Sequence, residues 1–370
     1  MSKILSIGTA NPAHKHEQSE ILNFMQMVYA FGEVDKRKLK FLYNNSGIKS
    51  RYSVVPDYSL NLPDWEFFPK GENLEPFPSV ELRMKWYNLH APQVSINAIN
   101  NCLSGIMTSG EITHLITVSC TGMSAPGLDL QILEQMGLDR TIYRTSVNFM
   151  GCYAAIHALK MANDICIASP TAKVIIVCTE LCTLHFQRDS GIDSVTSSLL
   201  FGDGSAAVLV TADTVGGKGL HLDHFYSEII PSAKKDMTWE ISSRGFLMTL
   251  SGYIPELIEH DFEPLVNRAL KATGLMHKDI GNWCIHPGGK RILEAVAKSL
   301  QLNRDSLQYS YRTMSEYGNM SSPTILFVLK EILNNFSNED AEKTSSSGQP
   351  VFGAAFGPGL TMETFVASYI

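Results

Sequence analysis

The chain has 370 residues, 44% apolar, 18% charged and 9% aromatic, enough to bury a large core and incompatible with a disordered, coiled-coil or collagenous chain. With a charged share below the roughly 25% of average globular proteins, its 27 Gly and 15 Met point to tight packing and subunit contact, so a homodimer is expected. A net charge of −7 supplies no overall basic field for a polyanion, which argues against nucleic acid as a partner and leaves room for a local patch that holds one phosphate.

From the N-terminus, residues 1–11 carry one Lys and a short apolar run before Gly8, too little for a secretory signal. Residues 56–78, rich in Pro and aromatics, read as an excursion. Hydrophobic periodicity then predicts a helix over 93–107, a strand over 115–118, helices over 128–136 and 154–167, and strands over 174–178 and 206–210. Beyond these come a helix over 255–272, a strand over 283–285 and helices over 291–300 and 324–334, followed by a polar, Ser-rich surface loop over 337–349. Helices alternating with short apolar strands define an α/β protein. The longest apolar stretches are strand-sized, far below the ~18 residues of a membrane span, so a cytoplasmic protein is expected. Seven cysteines, an odd number without CxxC pairs, argue for reduced thiols. Cys178 and Cys182, the closest pair, read as small apolar core residues, and neither they nor His14/His16 and His221/His224 suggest a metal site.

An internal echo is more informative than any single element. Residues 114–138 read strand, Gly/Pro loop, helix; residues 281–302 repeat that plan around Pro287-Gly288-Gly289. Each copy leads into small residues that open a long apolar helix, Asn148 to Cys152 in the first and Tyr317 to Pro323 in the second. Cys120 precedes Cys152 by 32 residues and His286 precedes Asn319 by 33. Glycine-bearing segments follow in both, Phe201-Gly-Asp-Gly204 and Phe356-Gly-Pro-Gly359. Such a duplication brings two half-sites together about a pseudo-twofold axis.

Within that frame, Cys152 follows Gly151 and opens an amphipathic helix, where free N–H groups and the dipole favour a thiolate. A buried packing thiol is the competing reading. His286 ends an apolar strand, and the Pro-Gly-Gly turn after it clears space beside the imidazole. Asn319, beside Gly318, suits a helix cap as well as an active site. Taken together, a thiol, an imidazole and an amide can form an acyl thioester and hold its oxyanion or enolate. Other signatures fail: Gly122-Met-Ser124-Ala-Pro126 has Pro where a serine-hydrolase elbow needs Gly, and the Gly-rich pairs lack nucleotide-loop spacing. Lys36, Arg37, Lys38 and Lys40 could grip phosphate or form a solvated helix face; Lys290 and Arg291 follow the Gly-Gly turn, nearer a cleft mouth.

These residues resemble the type III polyketide synthases, the chalcone synthase-like group of the thiolase superfamily. The likeness runs nearly end to end and rests on Ile7-Gly-Thr-Ala-Asn-Pro12, Ser46 to Tyr52, Pro126-Gly-Leu-Asp129, Asn148 to Cys152, Leu200 to Gly204, His286 to Gly289, Gly318 to Ser322 and Phe356 to Thr361. It implies a five-layered αβαβα fold from two duplicated halves, residues 1–220 carrying Cys152 and residues 221–370 carrying His286 and Asn319, in a homodimer. It also implies that Cys152 accepts a starter acyl group from coenzyme A. His286 and Asn319 would then stabilise the enolate of decarboxylating malonyl-CoA, with no metal or redox cofactor. By position, Phe201 matches a gatekeeping aromatic and Ser321 a cavity residue near the nucleophile. Trp239 stands where many members have Gly, Met248 where they have a second gatekeeping Phe, and His185 where a small polar residue is usual, adding a titratable group that could steer cyclisation. Ala125 replaces a Met that reaches into the partner's cavity. Of three cations for coenzyme A phosphates only Lys38 remains, Phe41 and Asn45 holding the other positions, with Lys290 and Arg291 as candidate substitutes. Two rivals stay open: a ketoacyl synthase III-like condensing enzyme fed by acyl carrier protein, and a catalytically silent subunit that binds acyl-CoA.

Overall fold

The computed structural model describes residues 1–71, 73–189, 191–230, 233–341 and 349–370, the side chains of 192 and 338–341 excepted. Its strands are β1 (Ser2–Ala10), β2 (His14–Glu17), β3 (Ser50–Ser53), β4 (His114–Ser119), β5 (Tyr143–Asn148), β6 (Lys173–Leu181) and β7 (Asp203–Ala212), then β8 (Leu220–Ile229), β9 (Met237–Ser242), β10 (Gly245–Leu250), β11 (Asn282–Ile285), β12 (Pro350–Gly357) and β13 (Thr361–Tyr369). Its helices are α1 (Gln18–Tyr29), α2 (Glu33–Asn45), α3 (Val80–Leu103), α4 (Leu128–Met136), α5 (Ala154–Ala168), α6 (Ile192–Leu200), α7 (Ile254–Leu270), α8 (Lys290–Ser299), α9 (Gln308–Tyr317) and α10 (Thr324–Ala341).

Nine strands form one sheet in the order β11-β12-β13-β8-β1-β7-β6-β4-β5. The duplication is visible in both order and sense. Strand β4 runs parallel to β6, which pairs antiparallel with β7, and β7 with β1. Equally, β11 runs parallel to β12, which pairs antiparallel with β13, and β13 with β8. The two sets meet through a short antiparallel contact in which Lys3 and Ile4 face His221 and Leu220. Among the described strands of this sheet, β5, at the outer edge of the first set, lacks a counterpart.

Period-two alternation divides the strands' side chains between two cores. Ile116, Val118, Ile176, Val208 and Phe365 face a cluster built on α5 and α10, whereas Leu115, Ile175, Val177, Leu209 and Phe352 face one that includes α3, α7 and α8. Two central helices between two sheet sections, with further helices outside, make the layered αβαβα arrangement. Each fully buried aliphatic side chain in these layers contributes about 1.5–3 kcal/mol.

Three sequence expectations are adjusted. Helix α3 begins at Val80, not 93, because Ser79 caps it by accepting from Leu82 N and the helix continues through Pro92; it stops at Leu103 rather than 107. The excursion at 56–78 is anchored: buried Asp57 accepts backbone N–H groups of Glu66, Phe67 and Phe68. Helix α10 runs to Ala341, past 334 and into the expected surface loop, whose residues 342–348 lie outside those described. No helix among the described residues is long and apolar enough to cross a membrane.

Candidate active site

The nucleophile candidate sits at a junction that only glycine can make. Between β5 and α5 the chain takes positive φ at Phe149 (58°) and Gly151 (80°). A Cβ on Gly151 would lie 2.3 Å from Pro358 Cδ, so this glycine serves both the backbone conformation and the close approach of the Gly357-Pro358-Gly359 segment. Cys152 emerges just before α5, buried, and its Sγ donates to Ser321 Oγ at 3.6 Å.

The imidazole candidate arrives from the other half. His286 continues β11, its N–H donating to Ala354 O on the neighbouring strand, and the turn after it is closed by Gly288 N–H to His286 O, 2.9 Å. The ring is 1% exposed, and neither nitrogen has a hydrogen-bond partner among the described residues. A buried polar side chain left wholly unpaired is rare and calls for an occupant. Asn319 is fixed by a bridge to Phe201, donating its N–H to Leu200 O and accepting from Gly202 N. Its Oδ1 accepts from Ser321 N at 2.8 Å, which turns Nδ2 toward Gly288 O at 3.3 Å and toward the Cys152 thiol. Ser321 itself holds φ of 60°, left-handed backbone for a non-glycine residue and of the kind that gathers at functional sites. Cys152 is thus tied to Ser321, Ser321 to Asn319, and Asn319 to the His286 turn.

Burial overrides the helix-terminus effect expected for Cys152. Removal from water pushes its thiol up to about 11, although Ser321 and Asn319 favour the anion. The same cause pushes His286 down to about 3. At neutral pH this state therefore holds an un-ionised thiol at Cys152 and an uncharged imidazole at His286.

From Cys152 a cavity of about 470 Å³ extends past Ser321, Phe201, His185, Trp239 and Met248 to exposed Asp189 and Arg244. Trp239 and Met248 face one another across the β9–β10 hairpin. The indole is anchored, Nε1 donating to Cys120 O at 2.7 Å. His185 stacks on Phe246 with ring centroids 4.2 Å apart. Its Nε2 lies 2.7 Å from Thr121 O and its Nδ1 accepts from Phe246 N at 3.3 Å. With both nitrogens committed and burial pushing its pKa down to about 3, His185 is a neutral group in the cavity wall.

Other candidates lie outside the cavity lining. Ala125 is exposed in the loop before α4. Lys38 pairs with Asp35 on the outer face of α2, Lys290 with Glu294, and Arg291 with Glu256. Lys290 lies against Gly47, just beyond the end of α2. Exposed pairs of this kind are worth at most about 1 kcal/mol and exchange partners readily.

Sequence reasoning missed a buried carboxylate. Glu180, 0% exposed on β6, accepts from Cys120 N, Thr121 Oγ1 (2.7 Å), Ser322 Oγ (2.7 Å) and Cys120 Sγ (3.3 Å). Burial raises its pKa. A carboxylate close behind the apolar run Val174 to Cys178 of β6 was the available signal. Among the described residues no group of His, Cys, Asp or Glu could hold a metal ion, and all seven cysteines are free.

Comparison with known proteins places these features in context. Residues 1–214 match the family described as chalcone and stilbene synthases, N-terminal domain, and residues 221–370 the corresponding C-terminal domain. A 3,5-dihydroxyphenylacetyl-CoA synthase from Streptomyces toyocaensis is 29% identical over 99% of this chain and 90% of its own length. Among solved structures, PKS-I from the brown alga Ectocarpus siliculosus superposes with a TM-score of 0.91 at 28% identity, covering 100% of this chain and 98% of that one. The C-terminal type III polyketide synthase domain of Steely1, a type I/III hybrid from Dictyostelium, gives 0.87 at 26% identity with 99% of both chains covered.

Proposed function

Because the chain belongs to the chalcone and stilbene synthase family, we propose that this acyl-transferring enzyme loads a starter from acyl-CoA onto Cys152 and extends it with malonyl-CoA by decarboxylative Claisen condensation. The observation that carries the reading is the buried His286 ring, without a partner among the described residues, together with Asn319, whose amide meets both the His286 turn and the cavity-lining Cys152 thiol.

In loading, the Cys152 sulfur attacks the thioester carbonyl while its proton passes to His286, and the coenzyme A thiolate leaves and takes the proton. In extension, the malonyl thioester carbonyl accepts from Asn319 Nδ2–H and an imidazole N–H. Loss of carbon dioxide leaves an enolate on that oxygen, stabilised by the same two donors. The enolate carbon attacks the acyl carbonyl on Cys152, and collapse of the tetrahedral centre expels the Cys152 sulfur as its thiolate and yields a chain longer by two carbons. A neutral imidazole suits this chemistry, since it donates without protonating the enolate carbon. Residues 1–220 supply the thiol, residues 221–370 the imidazole and amide. Phe201, Trp239 and Met248 bound the space for the growing chain before it cyclises or is released. The exposed outer edge of β5, from Tyr143 to Ser146, supports a homodimer that covers it. A relative named for a coenzyme A product supports coenzyme A chemistry. Lys38, Lys290 and Arg291 are proposed to bind its phosphates by exchanging their acidic partners.

The test is mass spectrometry of the intact protein after mixing with a panel of acyl-CoA esters, then malonyl-CoA with product analysis. Acyl adducts present in wild type and absent in Cys152→Ala, with carbon dioxide release and an extended product, are expected. The exposed, acid-paired state of the three basic residues favours one second reading, delivery by acyl carrier protein; loading from carrier protein but from no coenzyme A ester would establish it.

A further inference from the structure

Resting on that reading of Asn319, we propose that Arg51 is a positioning residue for decarboxylation: by capping the C-terminal end of α6 it fixes the segment that sets the Asn319 amide. A helix ends on carbonyls without partners in the helix, at the negative end of its dipole. At the end of α6, where Ser198 to Leu200 are buried, side chains from elsewhere take them up. Arg51 Nη1 donates to Ser198 O at 2.8 Å and to Phe201 O at 2.5 Å, and Gln18 Nε2 donates to Leu199 O at 3.0 Å. Leu200 O accepts the backbone N–H of Asn319 at 2.9 Å. Asn319 is thus itself a member of the cap, and its backbone follows the end of α6.

Arg51 reaches both sides of this junction. It stands on β3, 3% exposed, with Nε donating to Gln18 Oε1 at 3.0 Å. Each of these bonds goes to a neutral oxygen, so the guanidinium charge answers the α6 dipole rather than a hydrogen-bonded carboxylate. Its stem closes over the turn from the other half of the chain. A Cβ on Gly318, the residue before Asn319, would lie 2.9 Å from Arg51 Cγ and Cδ and 2.7 Å from Leu200 O, and one on Gly202 would lie 3.4 Å from Arg51 Cβ. Gly318 also takes φ of 67°, so conformation and close approach both call for glycine there. One side chain therefore touches both members of the Phe201–Asn319 bridge and the residues flanking them.

The consequence falls unequally on the two half-reactions. Decarboxylation needs the Asn319 Nδ2–H at the oxygen where the enolate charge develops, and a misplacement of about 1 Å at such a donor costs on the order of 100-fold in rate. Loading in the mechanism above uses Cys152 and His286, neither of which bonds to the end of α6. Releasing the cap should therefore impair decarboxylation much more than acyl transfer to Cys152.

The experiment uses the full chain and follows carbon dioxide release from malonyl-CoA, and acylation of Cys152 by hexanoyl-CoA through intact mass. The variants are Arg51→Gln, Arg51→Lys, Asn319→Ala and the double variant Arg51→Gln with Asn319→Ala, each with a urea midpoint. Arg51→Gln should lower kcat for carbon dioxide release by roughly 100-fold with little change in KM, and slow acylation far less. Arg51→Lys keeps the charge without the planar fork and should lie between Arg51→Gln and wild type. Once Asn319→Ala has removed the donor, adding Arg51→Gln should lower release by no more than about twofold, because the first residue acts through the second. Effects that multiply in the double variant, an equal fall of both half-reactions, or wild-type release in Arg51→Gln overturns the positioning role. Should Arg51→Gln fail to fold, the same cycle with Arg51→Lys decides by the same criterion. Wild-type carbon dioxide release in Asn319→Ala, or no acyl adduct on Cys152 in wild type, would instead overturn the reading on which the role rests.

Discussion

The wall of the cavity and its reacting end each hold a buried imidazole, and the two differ in their hydrogen bonds rather than in their charge. Burial drives both His185 and His286 down to about 3, so each is neutral at physiological pH. His185 is fully employed, bonded to Thr121 O and Phe246 N and stacked on the Phe246 ring. The His286 ring bonds to nothing among the described residues. A satisfied buried group holds the fold in place, while an unsatisfied one is a cost that the fold bears until a ligand arrives. A perturbed pKa alone would have flagged both residues equally; following each nitrogen to its partner separates them.

That contrast can be broken experimentally. The largest expected effect is on His286→Gln: carbon dioxide release from malonyl-CoA should fall by roughly 100- to 1,000-fold, with the urea unfolding midpoint close to wild type because no ring hydrogen bond is lost. A large drop in stability would show that the ring has structural partners after all. For His185→Phe the pattern should reverse. The substituted ring keeps the stacking but strands Thr121 O and Phe246 N–H, at about 2–4 kcal/mol by urea titration, and decarboxylation should persist.

Titration should unite the two sites. Their folded values lie near 3 and the unfolded value near 6.5, so in this interval the unfolded chain binds protons that the folded chain does not. Stability is therefore full above pH 6.5 and falls as pH drops toward 3, by about 1.4 kcal/mol per pH unit for each such histidine. Urea midpoints measured from pH 7 to 4 should show a shallower decline in His185→Phe; an unchanged slope would mean that His185 is not held neutral. The smallest energetic change is expected for Trp239→Phe, which removes only the indole bond to Cys120 O and should cost about 1 kcal/mol. Trp239→Gly, by opening the wall, should lengthen the product or admit a larger starter on chromatography, and an unchanged product profile would show that the indole does not limit chain growth.

Local chemistry made part of this site readable in advance. Gly151-Cys152 before an amphipathic run, and His286 before Pro-Gly-Gly, each announce a strand or loop that delivers a side chain to a helix start, and the paired intervals joined them. Strand β5 was invisible because Tyr143 to Ser146 are exposed at a sheet edge and carry no hydrophobic alternation. The start of α3 was misread because a proline normally argues against helix interior, whereas here the helix runs through Pro92. The Glu180 network and the fates of the two imidazoles depend on contacts between residues 60 to 142 positions apart, which no local pattern encodes.

The interlock at Gly151 has a consequence for how such chains can be recombined. A side chain on Gly151 would strike Pro358, and one on Gly357 would lie 2.5 Å from the Tyr153 ring, so each half offers a notch that fits the other's ring. Joining the first half of one relative to the second half of another therefore works only when notch and ring are exchanged as matched pairs. Modularity in this architecture stops at that seam, and a mismatched hybrid would misplace the loop that carries its nucleophile even if both parents were active.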